Sequence, residues 1–130
     1  MQRFIERHGL HDFQMNPHFP VTSLQIIRGA VAAEMDGYLE DYIDKVLVHM
    51  WEQPKKMDDP DVIKAAFEES GLDAEKLMAQ MQDADVKAKL ISNTEAAAER
   101  GVFGIPTFFV GDEMYFGKDN LWQVEEKLSE

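Results

Sequence analysis

The chain of 130 residues contains no cysteine. A dithiol redox centre, a thiolate nucleophile and a disulfide framework are therefore excluded within these residues. Basic residues are also scarce, 13 Lys and Arg against 25 Asp and Glu, giving a formal net charge of −12. Nucleic acids and acidic membrane surfaces need a basic face, so neither is expected as a partner. No apolar run approaches the roughly 20 residues of a membrane span. No basic stretch followed by an apolar one opens the chain, so there is no sign of a secretory leader, and a cytoplasmic location is expected.

Hydrophobic residues make up 45% of the chain, enough for a real core, and eight of them are methionines, which fill irregular space. The length suits one domain, 1–130. Gln2–Arg7 reads as a short helix stopped by Gly9. Phe13–Asn16 alternates apolar and polar residues as a half-buried strand does, and Pro17 and Pro20 end it.

A helical block over 21–100 follows. Thr22 or Ser23 is placed to cap a helix to about Met35, and Asp36-Gly37 breaks it. Tyr38, Leu39, Tyr42, Ile43, Val46, Leu47, Met50 and Trp51 then repeat at helical spacing. Asp59-Pro60 combines a cap with a first-turn proline. Asp73 and Asp83 start two more helices, the second with Val86, Leu90, Ile91, Ala97 and Ala98 on one side. Residues 101–130 change character. A helix ends at Gly101, Ile105-Pro106 leads into the apolar strand Thr107–Val110, and Gly111-Asp112 turns it back into Glu113–Phe116. A proline at that point belongs at the strand's first position or in a turn, and an X-Pro bond is where a cis peptide is cheapest. Asp119 is placed to start a final helix.

Taken together, Asn16-Pro-His-Phe-Pro20, Met50-Trp-Glu52, Gly101-Val-Phe-Gly-Ile-Pro-Thr107 and Phe116-Gly-Lys-Asp-Asn-Leu121 resemble the 2-hydroxychromene-2-carboxylate isomerases. That family is related to the kappa-class glutathione transferases in the DsbA-like branch of thioredoxin folds. The resemblance implies an α/β fold of thioredoxin type with a helical insertion. It also implies an N-terminally incomplete one, because the family has a first strand and a first helix ahead of the point that matches Met1. The family's thiol-activating Ser lies there, so no catalytic residue is assigned in this chain. A sheet lacking that strand would leave Phe13–Asn16 and Thr107–Val110 about 10 Å apart, twice the strand spacing, unless something fills the slot or the two strands close on each other; the first expectation is that the chain is part of a longer gene product.

The same resemblance implies glutathione as cofactor. It is held by main-chain pairing at Ile105 and Pro106, with Lys118 and Asp119 at its γ-glutamyl end. Lys118 departs from the small or polar residue often seen there, and Asn120 stands where Arg is common. Asn16, Pro17, His18 and Trp51 are implied to border a pocket for a small aromatic carboxylate. On residue type alone, Asp119 is an ordinary helix cap, His18 a surface histidine on a proline-locked connector, and Trp51 a core residue. The four histidines show no metal-ligand spacing. Two functions are open at this point. One is a glutathione-dependent isomerase or transferase, for which a homodimer would fit the family's habit. The other is a non-catalytic binding module that completes its sheet with a partner strand.

Overall fold

The computed structural model describes all residues 1–130. Helices α1 (Gln2–His8), α2 (Leu24–Asp36), α3 (Leu39–Trp51), α4 (Pro60–Glu69), α5 (Ala74–Gln80) and α6 (Ala84–Glu99) precede strands β1 (Thr107–Val110) and β2 (Glu113–Phe116). A 3-10 turn (Lys118–Asn120) then leads into α7 (Leu121–Leu128). The chain divides into two compact units, Met1–Leu90 and Ile91–Glu130. No helix is long and apolar enough to cross a membrane.

In the first unit, helix boundaries follow local chemistry. Gly9 and Gly37 end α1 and α2 with φ of 65° and 84°, a left-handed stop that residues with a Cβ resist. Asp59 caps α4 by accepting from the N–H groups of Asp61 and Val62, with Pro60 in the first turn where no N–H is needed. Asp73 and Asp83 do the same for the starts of α5 and α6. Ser23 precedes α2, but its side chain makes no capping bond.

The core lies between these helices. On α3 the residues Tyr42, Val46, His49 and Met50 share one buried face, at spacings of four, three and one. They meet Ile26, Ala32 and Ala33 from α2, Ile63 and Phe67 from α4, and Leu77 from α5, with Met57 and Met81 filling the gaps. The apolar side of α6 is buried only at its start: Val86 is buried and Leu90 packs on the core, whereas Ile91 is 59% exposed. The stripe expected to run to Ala98 thus ends where the core cluster ends.

Phe13–Asn16 is not a strand. The sheet has two strands, β1 and β2, and no third. The physical reason is the C-terminus of α3, whose last carbonyls have no partner within the helix. The Gln14 N–H donates to the Trp51 carbonyl at 2.5 Å, and the Gln14 side-chain amide to the Glu52 carbonyl at 2.8 Å. Asn16 Nδ2 reaches the Met50 carbonyl at 3.1 Å. An extended segment with no neighbouring strand has spent its donors on a helix end.

In the second unit β1 and β2 form an antiparallel hairpin with Thr107 opposite Phe116 and Val110 opposite Glu113. Gly111 has φ 61° and Asp112 a negative φ, the pattern of a two-residue II′ turn. Helix α7 packs on both strands. Arg100, just past α6, holds its guanidinium 3.5 Å above the Phe109 ring, a cation–π contact onto β1.

Candidate functional site

In the second unit the peptide bond between Ile105 and Pro106 is cis. Ile105 is 90% exposed. Neither its N–H nor its carbonyl is hydrogen-bonded within the chain. The turn before β1 is fixed from both sides: Thr107 Oγ1 donates to the Gly104 carbonyl at 2.6 Å, and the Gly117 N–H donates to the Pro106 carbonyl at 2.9 Å. Gly104 sits against Phe116, where an added Cβ would lie 2.8 Å from a ring carbon. Along an antiparallel pair, alternate residues turn their backbone groups to the partner strand and the others outward. Val110 and Glu113 close the two-residue loop, so Thr107 and Phe109 turn theirs to the open edge of β1.

Lys118 and Asp119 lie together in the 3-10 turn. Lys118 Nζ donates to Asp119 Oδ1 at 2.6 Å, and that hydrogen bond holds the Asp119 carboxyl below its usual range. Asp119 does not cap α7. The turn opens at Gly117 and α7 at Asn120, whose side chain donates to the Phe116 carbonyl at 2.5 Å. Three residues wound at the tighter 3-10 pitch take the place the cap would have had. The Asp119 side chain is left 82% exposed.

In the first unit, Asn16 is buried and its polar atoms are all engaged. Nδ2 donates to the carbonyls of Met50 and Lys55 (2.9 Å for the latter), and Oδ1 accepts from the His18 N–H at 2.9 Å. It is a strut for the loop. Pro17 and His18 are exposed on the loop that Asn16 shapes, and the Phe19-Pro20 bond is also cis. Trp51 is half-buried. It stacks on Phe13 at 5.7 Å between ring centres and meets Phe19 at 6.1 Å. Leu10, Phe13, Leu47 and Trp51 line a groove of about 290 Å³, with His11 and Glu52 also on its wall.

A polar cluster near Asn16 is not announced by any sequence motif. His49 is only 3% exposed. Its Nδ1 lies 2.7 Å from Lys55 Nζ, and its Nε2 lies 2.6 Å from Ser70 Oγ. Lys55 Nζ also donates to Glu69 Oε2 at 2.5 Å. A lysine ammonium can only donate, so Nδ1 is the acceptor and the ring proton sits on Nε2, facing Ser70. Ser70 therefore accepts from the ring, and the pair is not a base-activated serine. Burial, reinforced by the Lys55 charge, pulls the His49 pKa below its ordinary value, while Glu69 and a backbone bond at Ala66 oppose the shift. No group of three or more His, Cys, Asp or Glu side chains is arranged to hold a metal ion.

The family model for the DSBA-like thioredoxin domain matches residues 1–129. The chain belongs to that family. Its fold is similar to a solved structure of 2-hydroxychromene-2-carboxylate isomerase, with a TM-score of 0.82 and 25% identity over 98% of this chain and 62% of that one. A 2-hydroxychromene-2-carboxylate isomerase of Pseudomonas putida is 54% identical over 35 residues, 27% of this chain and 17% of the relative. Human glutathione S-transferase kappa 1 is 28% identical over 138 aligned residues, 92% of this chain and 61% of the relative. The chain thus spans about three fifths of the length of the kappa-class transferase and of the solved isomerase.

Proposed function

We propose that this DsbA-like chain serves a glutathione-dependent isomerase acting on 2-hydroxychromene-2-carboxylate-like aromatic compounds, or a closely related glutathione transferase. The observation that carries the reading is the exposed, unpaired main chain at Ile105, at the entry to β1, in a chain similar to both kinds of enzyme. A free N–H and C=O beside a strand start can take an extended peptide by strand-like pairing. Glutathione is such a peptide, and the residues present fit it.

When bound, glutathione supplies a thiol able to add reversibly to a conjugated bond. Ile105 holds the cysteinyl main chain by its N–H and carbonyl, with Pro106 shaping the approach. Asp119 accepts from the γ-glutamyl ammonium, and Lys118 pairs with the γ-glutamyl carboxylate, so the ion pair between them opens to share its charges with the ligand. His18 and Trp51 offer a hydrogen-bonding ring and an apolar wall to an aromatic carboxylate. Asn16 and Pro17 keep that loop in shape. A free-thiol cofactor suits the reducing cytoplasm, where we place the protein.

The open edge of β1 favours one second reading, a binding module that pairs Thr107 and Phe109 with a strand from a partner. Titration calorimetry with reduced glutathione separates the two. Saturable heat with one site per chain supports the enzyme reading. No heat, together with a tight dimer in gel filtration, overturns it in favour of the module.

A further inference from the structure

Lys55 stands between two parts of the first unit. Its ammonium bridges His49 Nδ1 and Glu69, at 2.7 and 2.5 Å. Its backbone N–H donates to the His49 carbonyl at 2.9 Å. Its own carbonyl, also at 2.9 Å, accepts from Asn16 Nδ2. Asn16 in turn fixes the next residues, accepting from the His18 N–H with its side chain and from the Phe19 N–H with its carbonyl at 3.1 Å. Lys55 thus touches the buried imidazole with its ammonium and the Asn16 strut with its carbonyl, and its own chain joins the two.

We propose that Lys55 is a positioning residue for the Asn16–Pro20 loop, and that the protonation state of His49 decides whether Lys55 keeps that position. The neutral ring offers Nδ1 as the acceptor the ammonium needs. A protonated ring carries hydrogens on both nitrogens and has no acceptor left. Two cationic donors would then face each other at 2.7 Å, the ring itself buried and the Lys55 side chain only partly exposed, and charges that close repel more strongly there than in bulk solvent. The groups facing the ring are the Lys55 ammonium, the Glu69 carboxylate beyond it, and the Ser70 hydroxyl with the Ala66 carbonyl from α4. Of these Glu69 and the Ala66 carbonyl favour the charged ring, and Glu69 is already committed to Lys55. The ammonium, the more solvent-accessible partner, swings toward Glu69 and water. The Lys55 carbonyl turns with it, and the Asn16 strut loosens. The loop holding His18 is thereby fixed at neutral pH and released in acid. The inference concerns loop position and stands whether or not the loop binds an aromatic carboxylate.

The test is a pH titration by heteronuclear NMR of the full chain carrying His18→Gln, so that no loop histidine titrates on its own, following the His49 ring and the amides of residue 18 and Phe19. The expected result is one proton uptake by His49 with a midpoint below 6.5, and the two loop amides shifting with the same midpoint. In Lys55→Met the His49 midpoint rises toward 6.5 and the loop amides no longer follow it. In His49→Gln the loop amides lose the transition, while in His11→Gln they keep it. If the His49→Gln chain does not fold, Lys55→Met alone decides. Loop amides that titrate unchanged in Lys55→Met, or that stay flat while the wild-type His49 ring titrates, overturn the proposal. Because no ligand is added, failure here is distinct from failure to bind glutathione.

Discussion

The hydroxyl of Tyr42 donates to the Ile26 carbonyl at 2.7 Å and lies directly over Gly29, where an added Cβ would sit 2.2 Å from that oxygen. The contact sets how closely α3 approaches α2. Tyr42 is 1% exposed, and burial pushes its phenol well above the ordinary pKa, so it stays a donor at any pH the protein meets.

Gly29→Ala should therefore destabilise the first unit despite alanine's better helix propensity. Overpacking costs about 1–3 kcal/mol, and the propensity gain offsets about 1 kcal/mol of it. Tyr42→Phe alone should cost about 1 kcal/mol for the lost buried hydrogen bond. The two changes share one space, so the double variant should be more stable than the sum of the single effects implies. Urea unfolding of the four chains measures this, and strict additivity would contradict the packing described.

Asn16→Ala should cost about 2–3 kcal/mol, because it leaves the Met50 and Lys55 carbonyls without the donor they share in a buried position. Asn16→Asp should be worse near neutral pH, since a carboxylate would face two carbonyl oxygens. Thermal unfolding that ranks the aspartate above the alanine would show that Nδ2 is not the group that matters. The interring contacts of Trp51 with Phe13 and Phe19 should weaken with the strut, and Trp51 emission should shift to the red in a Trp122→Phe background.

Much of this was legible in sequence wherever the determinant is local. Asp59, Asp73 and Asp83 cap the helices they precede, and Gly9 and Gly37 stop theirs, because caps and stops act within one turn. The hairpin, its Gly111 turn and the Ile105-Pro106 entry were legible for the same reason. The Phe13–Asn16 segment misled because alternation reports only a half-buried extended chain and says nothing of what pairs with it. Its partners, the carbonyls ending α3, lie more than thirty positions along the chain. The His49 cluster was invisible for a similar reason. Lys55 and Ser70 come from a loop and a helix end that Pro54 and Gly71 mark in sequence, but no residue pattern says that the two meet at His49.

Acid should weaken the fold through His49. The ring's pKa is depressed by burial in the folded state and ordinary in the unfolded chain, so the unfolded chain takes up the proton first as pH falls. The stability His49 contributes is full above about 6.5 and is lost as pH drops from there through its lowered folded value. Urea midpoints measured at steps from pH 7.5 to 5 should decline across that window for the wild type and be flatter for His49→Gln. Equal slopes would mean that other groups carry the dependence.

Glutathione affinity should depend on the main chain at Ile105 and on the charges of the 3-10 turn. Ile105→Ala keeps the N–H and carbonyl and should change affinity little, even though it removes a large exposed side chain. Asp119→Asn keeps the shape and removes the charge that would meet the γ-glutamyl ammonium, and it should weaken binding several-fold. Lys118→Gln tests the partner charge. Lys118 lowers the Asp119 pKa, so losing it should raise the pH below which glutathione binding fails. A direct competition is also built into the turn: added salt should weaken the exposed Lys118–Asp119 pair and the ligand's ionic contacts alike, so affinity should fall only shallowly with ionic strength. Calorimetric titrations of the three variants at two salt concentrations check each step. An Ile105→Ala chain that loses binding while Asp119→Asn retains it would reverse the assignment of main-chain and side-chain roles.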